Sequence, residues 1–177
     1  MTAKHWTRRP LLGAVLLGVI VFGSPALAGP YEDGMRAYMG EDYTTALTLL
    51  KPLAEQGDAR AQYQVGVIFG DGLVGDKPDD AAAADWFSKA AATGHHTAEK
   101  TMGDIYFLGK GVTKDFVQAG RWYRKAADAG HPEAQFMLGY LYQEGLGVPK
   151  DKAIAIQLYR TAEDQGYQIG DVLLGLQ

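Results

Sequence analysis

Trp122-Tyr123-Arg124-Lys125-Ala126-Ala127, Gly130-His131-Pro132-Glu133-Ala134-Gln135, Leu138-Gly139-Tyr140-Leu141-Tyr142 and Gly145-Leu146-Gly147-Val148-Pro149-Lys150-Asp151 make a nearly continuous stretch, and its pattern recurs along the chain. Gly57, Gly94, Gly130 and Gly166 anchor the copies at spacings of 37, 36 and 36 residues. Eleven positions before each stands Ala46, Ala83, Ala119 or Ala155. Eight before are Leu49, Trp86, Trp122 and Leu158, and seven before are Leu50, Phe87, Tyr123 and Tyr159. After each anchor, the fourth position is Ala61, Ala98, Ala134 or Gly170, and the ninth is Gly66, Gly103, Gly139 or Gly175. A period of this size is the mark of a repeat array.

The columns before each anchor follow i, i+3, i+4, i+7, i+8, which is one apolar face of an α-helix and not a strand face of period two. This predicts a helix A in each copy. Asp115 and Asp151 stand where a side chain caps such a helix, and each anchor Gly is placed to take the left-handed conformation that ends it. A helix B follows at once, with Asp58 or His131 at its N-cap and Pro132 at a first helical position, where the missing N–H costs nothing. A single helix pair cannot hide its own apolar face, so stacking of copies must build the core. Trp86 and Trp122 are expected within that core.

These columns resemble the Sel-one-like repeat, a relative of the tetratricopeptide repeat, over about residues 41–177. The main departure is a linker between Gly72 and Ala83 that is one residue longer than its counterparts. Glu32 to Met39 resembles the shortened first helix of such arrays, and the last copy reaches Gln177 partway through helix B. The resemblance implies an all-α, right-handed α-solenoid of helix–turn–helix repeats with period 36–37: about three full repeats plus partial end repeats. It implies a scaffold or adaptor for other proteins, and it does not imply catalysis.

Residues 1–28 read as a signal peptide. Lys4, Arg8 and Arg9 precede an uncharged run from Leu11 to Phe22, and Ala26-Leu27-Ala28 presents small residues for cleavage before Gly29. The apolar run is shorter than the roughly 20 residues a membrane span requires. Residues 29–177 are then the repeat domain, periplasmic or secreted; Thr7-Arg8-Arg9-Pro10-Leu11-Leu12 also resembles a twin-arginine export signal. Cleavage removes three cations and no acid, which moves the formal net charge from −4 to −7. Such an acidic chain is a poor partner for nucleic acid, whose phosphates are bound by an excess of Lys and Arg. With no Cys in the chain, disulfides, Cys-ligated metals and thiol nucleophiles are excluded.

Apparent chemical motifs belong to the repeat. Gly70-Asp71-Gly72-Leu73-Val74-Gly75 satisfies G-x-G-x-x-G, but it follows a helix, whereas a dinucleotide loop follows a strand. Asp71, Asp76, Asp79 and Asp80 lack the order of an EF-hand loop and read as caps and solvated charges. His95 and His131 share a column with Asp58, as expected of a cap position and not of a zinc ligand, and His96 adds a third imidazole. No H-E-x-x-H, G-x-S-x-G or P-loop occurs. Cysteine-rich secreted relatives have been linked to penicillin binding, but neither their Cys pairs nor an S-x-x-K is present here. No metal, cofactor or catalytic residue is expected.

The expected function is therefore an exported, non-catalytic protein–protein interaction scaffold of the cell envelope. The alternative is a cell-wall-directed hydrolase or carbohydrate-binding factor, which needs an acidic pair in a cleft. In tetratricopeptide-like arrays helix A lines the inner surface. Its positions outside the apolar columns include Lys51, Ser88, Lys89, Arg121, Arg124, Lys125 and Arg160. Of these, Lys89, Arg121, Arg124, Lys125 and Arg160 are the candidate binding residues, suited to an acidic segment of a partner because a groove of one sign focuses its field.

Overall fold

The computed structural model describes residues 29–168, and within them the chain forms eight α-helices and no strand. They are α1 (Pro30–Met39), α2 (Tyr43–Glu55), α3 (Ala59–Gly70), α4 (Asp80–Ala92), α5 (His96–Leu108), α6 (Phe116–Asp128), α7 (Pro132–Glu144) and α8 (Lys152–Asp164). The even-numbered helices are helix A of each copy and the odd-numbered ones helix B. Each helix packs chiefly on its chain neighbours, as in an α-solenoid. The signal segment and the columns at Gly170 and Gly175 lie outside the described residues.

The predicted ends of the helices are found. The side chains of Asp42, Asp58, Asp79, Asp115 and Asp151 accept hydrogen bonds from backbone N–H groups of the first turns they precede, meeting donors that have no partner inside the helix. The four anchor glycines have φ between 84° and 97°. The N–H just beyond each reaches back over the helix end, as from Asp58 to the Leu53 carbonyl at 3.0 Å and from His131 to that of Ala126 at 2.9 Å. Helix B returns to helix A through a loop closed in three copies by the same bond at 2.9 Å: Asp79, Asp115 and Asp151 N–H donate to Phe69, Tyr106 and Tyr142 carbonyls. His131 departs from expectation. It stands at the N-cap of α7 ahead of Pro132, but its side chain makes no cap bond and its Nδ1 is buried without a partner.

The core is built by fitting a ring on one helix A against a glycine on the preceding helix B. Phe87 lies against Gly66, Tyr123 against Gly103 and Tyr159 against Gly139, while Leu50 against Gly34 shows that α1 plays the helix B role for α2. A Cβ added at Gly66 or Gly139 would stand 2.8 Å from the facing ring. Tyr123 and Tyr159 are wholly buried.

Trp86 and Trp122 are a correction to the sequence reading: both are only half-buried. Their column lies one residue, about 100°, round the helix from the Tyr column, which puts it at the margin of the apolar stripe. Each bridges to the preceding copy, Trp86 to the cluster around Leu50 and Trp122 to that around Phe87.

The longer linker also has a structural consequence. Gly111 and Gly147 press their backbones onto the starts of α4 and α6, at Asp80–Ala81 and Phe116–Val117, with no room for a side chain. In the 72–79 loop, Gly75 meets no such neighbour.

Candidate functional site

The candidate cations lie on helix A, and all five are exposed. Three are engaged by rings. Lys89 Nζ stands 4.0 Å from the centre of the Trp86 ring and 2.7 Å from Asp85 Oδ2. Lys125 Nζ stands 4.4 Å from the Trp122 ring centre, so the same lysine covers the same Trp in successive copies. The Arg124 guanidinium sits 5.5 Å from the Tyr142 ring centre and donates through Nη2 to the Tyr142 hydroxyl. Arg124 is thereby held to α7, across the turn at Gly130, while the rest of its fork faces solvent.

Arg121 and Arg124, one turn apart on α6, border a cleft of about 470 Å³. Val117, Gly120 and Val148 supply its apolar wall, and Val148 comes from the loop that Gly147 presses onto α6. Arg160 occupies on α8 the column of Arg124 on α6. The face is less uniformly cationic than its Lys and Arg suggest. Glu55, Asp128 and Asp164 are exposed on the last turns of α2, α6 and α8, and Asp85 is exposed on α4. The excess of positive charge lies on α6, where Arg121, Arg124 and Lys125 line the cleft against Asp128 alone.

The titratable groups on helix B are tied into the fold. Lys100 Nζ lies 2.9 Å from Asp104 Oδ2 and 2.6 Å from Glu133 Oε1, joining α5 to α7, while the Tyr123 hydroxyl donates to Asp104 Oδ1 at 2.7 Å. Burial lowers the Lys100 pKa, but the bonds to Glu133 and Asp104 outweigh it and leave the pKa raised. Asp104 and Glu133 are thus counter-ions of one lysine. His95 stacks on Tyr63 with ring centres 4.8 Å apart and accepts the Ala98 N–H on Nδ1 at 3.2 Å. Burial lowers the His95 pKa. His96 Nδ1 meets Glu99 at 3.0 Å. Among the described residues no three His, Asp or Glu side chains converge in the manner of a metal site.

One set of residues was missed in the sequence. Gln62, Glu99 and Gln135 share the fifth position after the anchors and are buried. Gln62 and Gln135 use Nε2 to satisfy the Ala54 and Ala127 carbonyls, eight residues back at the end of helix A, at 3.0 and 3.3 Å. The recurrence of Gln in one column was the available signal.

A stack of helix pairs with an open, charged helix A face defines a helical-repeat scaffold. The chain belongs to the Sel1 repeat family, which matches it at residues 26–58, 59–95, 101–131 and 132–167, each match ending at or just past a helix A. Counted from helix B, the described residues thus hold four helix pairs. A crystal structure of a protective antigen of uropathogenic Escherichia coli with an SLR fold is 40% identical, with a TM-score of 0.74, over 77% of this chain and 30% of that one. A Sel1 repeat protein from Oxalobacter formigenes is 35% identical, with a TM-score of 0.72, over 77% of this chain and 56% of the other. Among curated proteins, the ERAD-associated E3 ubiquitin-protein ligase component HRD3A of Arabidopsis thaliana is 36% identical over 80 residues, 45% of this chain and 12% of HRD3A. Sel1 repeat proteins generally mediate protein–protein interaction and are typically non-catalytic scaffolds.

Proposed function

We propose that this protein is an exported, non-catalytic adaptor of the cell envelope that receives an acidic segment of another protein along helix A. The observation that carries this reading is the cleft on α6, where Arg121 and Arg124 stand beside the apolar wall of Val117, Gly120 and Val148. An extended acidic segment fits there because its carboxylates pair with the two forks while an apolar residue covers the wall. Arg160 continues the same column on α8. Export is supported by Lys4, Arg8 and Arg9 ahead of an uncharged run and Ala26-Leu27-Ala28.

The test is a crosslinked pull-down from the periplasm with the wild-type chain and with the R121Q/R124Q/R160Q triple variant. A partner captured by the first and lost by the second, with the melting temperature unchanged, supports the reading. Equal capture by both moves the binding surface elsewhere. N-terminal sequencing of the exported protein tests its location, since a chain beginning at Met1 and found in membranes contradicts cleavage.

A further inference from the structure

The α3–α5 and α5–α7 joints between B helices differ at a pair of facing positions. Between α5 and α7, Phe107 faces Tyr140 with ring centres 6.1 Å apart. The equivalent positions between α3 and α5 hold Gly70 and Asp104. This joint carries a cavity of about 410 Å³, whereas Phe107 and Tyr140 line a separate one of about 450 Å³ with Phe136, Met137 and Tyr159. Its floor is apolar, built from Val67, Ala83, Phe87 and Ile105, with Tyr63 as one wall. Leu108 forms a lip and is 58% exposed, second only to Met39 among the exposed large hydrophobics of the described residues. A floor and lip of this kind, open to solvent, accept a large apolar side chain from outside.

The rim selects the charge of what surrounds that side chain. Residues 71–80 carry Asp71, Asp76, Asp79 and Asp80 against Lys77 alone. Asp71 and Asp80 line the cavity itself, and Lys110 is the cation on the facing rim. Asp104 also lines it, but Lys100 and the Tyr123 hydroxyl already occupy its oxygens. The surplus is negative, the reverse of the helix A cleft on α6.

We infer that the groove between α3 and α5 is a second docking site, which takes a partner segment presenting one large apolar side chain beside a basic residue. The apolar side chain covers Val67 and Phe87, and the basic residue meets Asp71 and Asp80. The protein then holds two surfaces of opposite charge on different helices, which is what joining two partners requires. This site stands independently of the helix A cleft.

The experiment uses the full chain and short fluorescein-labelled peptides. Each peptide has one Leu, Phe or Trp flanked by Lys or Arg in a Gly-Ser background, or the same residue flanked by Glu. Anisotropy titrations are expected to show binding of the basic set, weakening with salt, and markedly weaker binding of the Glu set. D71N and L108S alter exposed side chains, so both should melt like wild type and weaken the basic set several-fold. E163Q, which removes a carboxylate on distant α8, should bind as wild type. Basic peptides binding no better than their Glu counterparts, or equally well to D71N and L108S, would overturn the inference.

Discussion

Gly103 on α5 lies directly beneath the ring of Tyr123 on α6, so close that a methyl group there would overlap the ring. The same contact joins α3 to α4 through Gly66 and Phe87, and α7 to α8 through Gly139 and Tyr159. A glycine inside a helix sacrifices about 1 kcal/mol of helix propensity relative to Ala. Here that cost is offset by letting two helix backbones approach across a buried ring.

Gly103→Ala and Gly139→Ala should therefore destabilise the protein by ~1–3 kcal/mol, the usual penalty of overpacking a rigid site. Gly120→Ala is the contrast. A Cβ there meets Leu141 and Val148 at 3.4 Å, an ordinary contact, so this substitution should be neutral or stabilise by up to ~1 kcal/mol. Thermal melts of the three variants decide the matter, and equal effects at all three positions would contradict the close-approach account.

Truncation should separate the Tyr column from the Trp column. Tyr123→Ala removes a wholly buried ring and the hydroxyl bonded to Asp104, at a cost of ~3–5 kcal/mol. Trp122→Ala should cost clearly less, because its ring is half exposed and Lys125 covers it. Denaturant midpoints in the reverse order would place Trp122, and not Tyr123, at the centre of the core.

Lys100→Met should cost ~1–2 kcal/mol at neutral pH, between the values for exposed and for buried ion pairs, because Asp104 and Glu133 keep partial access to water. The variant leaves two carboxylates without their shared cation. Met keeps most of the aliphatic stem, so a denaturant midpoint equal to that of wild type would show that the lysine acts through its packing alone.

His95 makes stability depend on pH. Its folded pKa is lowered by burial, so between 6.5 and that folded value the unfolded chain binds a proton that the folded chain refuses. Stability falls as pH drops through this interval and levels off below it. Protonation at Nδ1 would also remove the acceptor for Ala98 N–H. His95→Asn keeps a capping acceptor and does not titrate, so it should flatten the melting temperature between pH 7 and 5. The lowered pKa values of Asp42 and Asp58 act below their ordinary 3.8 and leave that window clear.

Most of the architecture was legible because repetition amplifies weak signals. One Asp before a helix is an ambiguous cap, but Asp79, Asp115 and Asp151 at one recurring position are not, and all three bond as caps. Column spacing placed the Trp and Tyr columns on one apolar stripe but could not say which lay at its centre, since both carry rings. The buried glutamines were hidden because a polar residue reads as exposed unless its partner, a helix-end carbonyl eight residues back, is seen. The candidate cations were picked by column, yet the sequence did not show that Lys89 and Lys125 lie over tryptophans, nor that Arg124 reaches Tyr142 on the following helix. The groove at Gly70 was also missed. It lies where Gly70 and Asp104 stand in place of two rings, and recurring columns draw attention to what the copies share.

The most direct test of the adaptor account is site-specific photocrosslinking in intact cells, with a photoreactive residue in place of Arg121. The account predicts a discrete protein adduct at this position, reduced when R124Q and R160Q are added, and no such adduct from a probe at Glu163 on the same array. Absence of an adduct at position 121, or an adduct indifferent to the two added substitutions, would contradict the assignment of helix A as the binding surface.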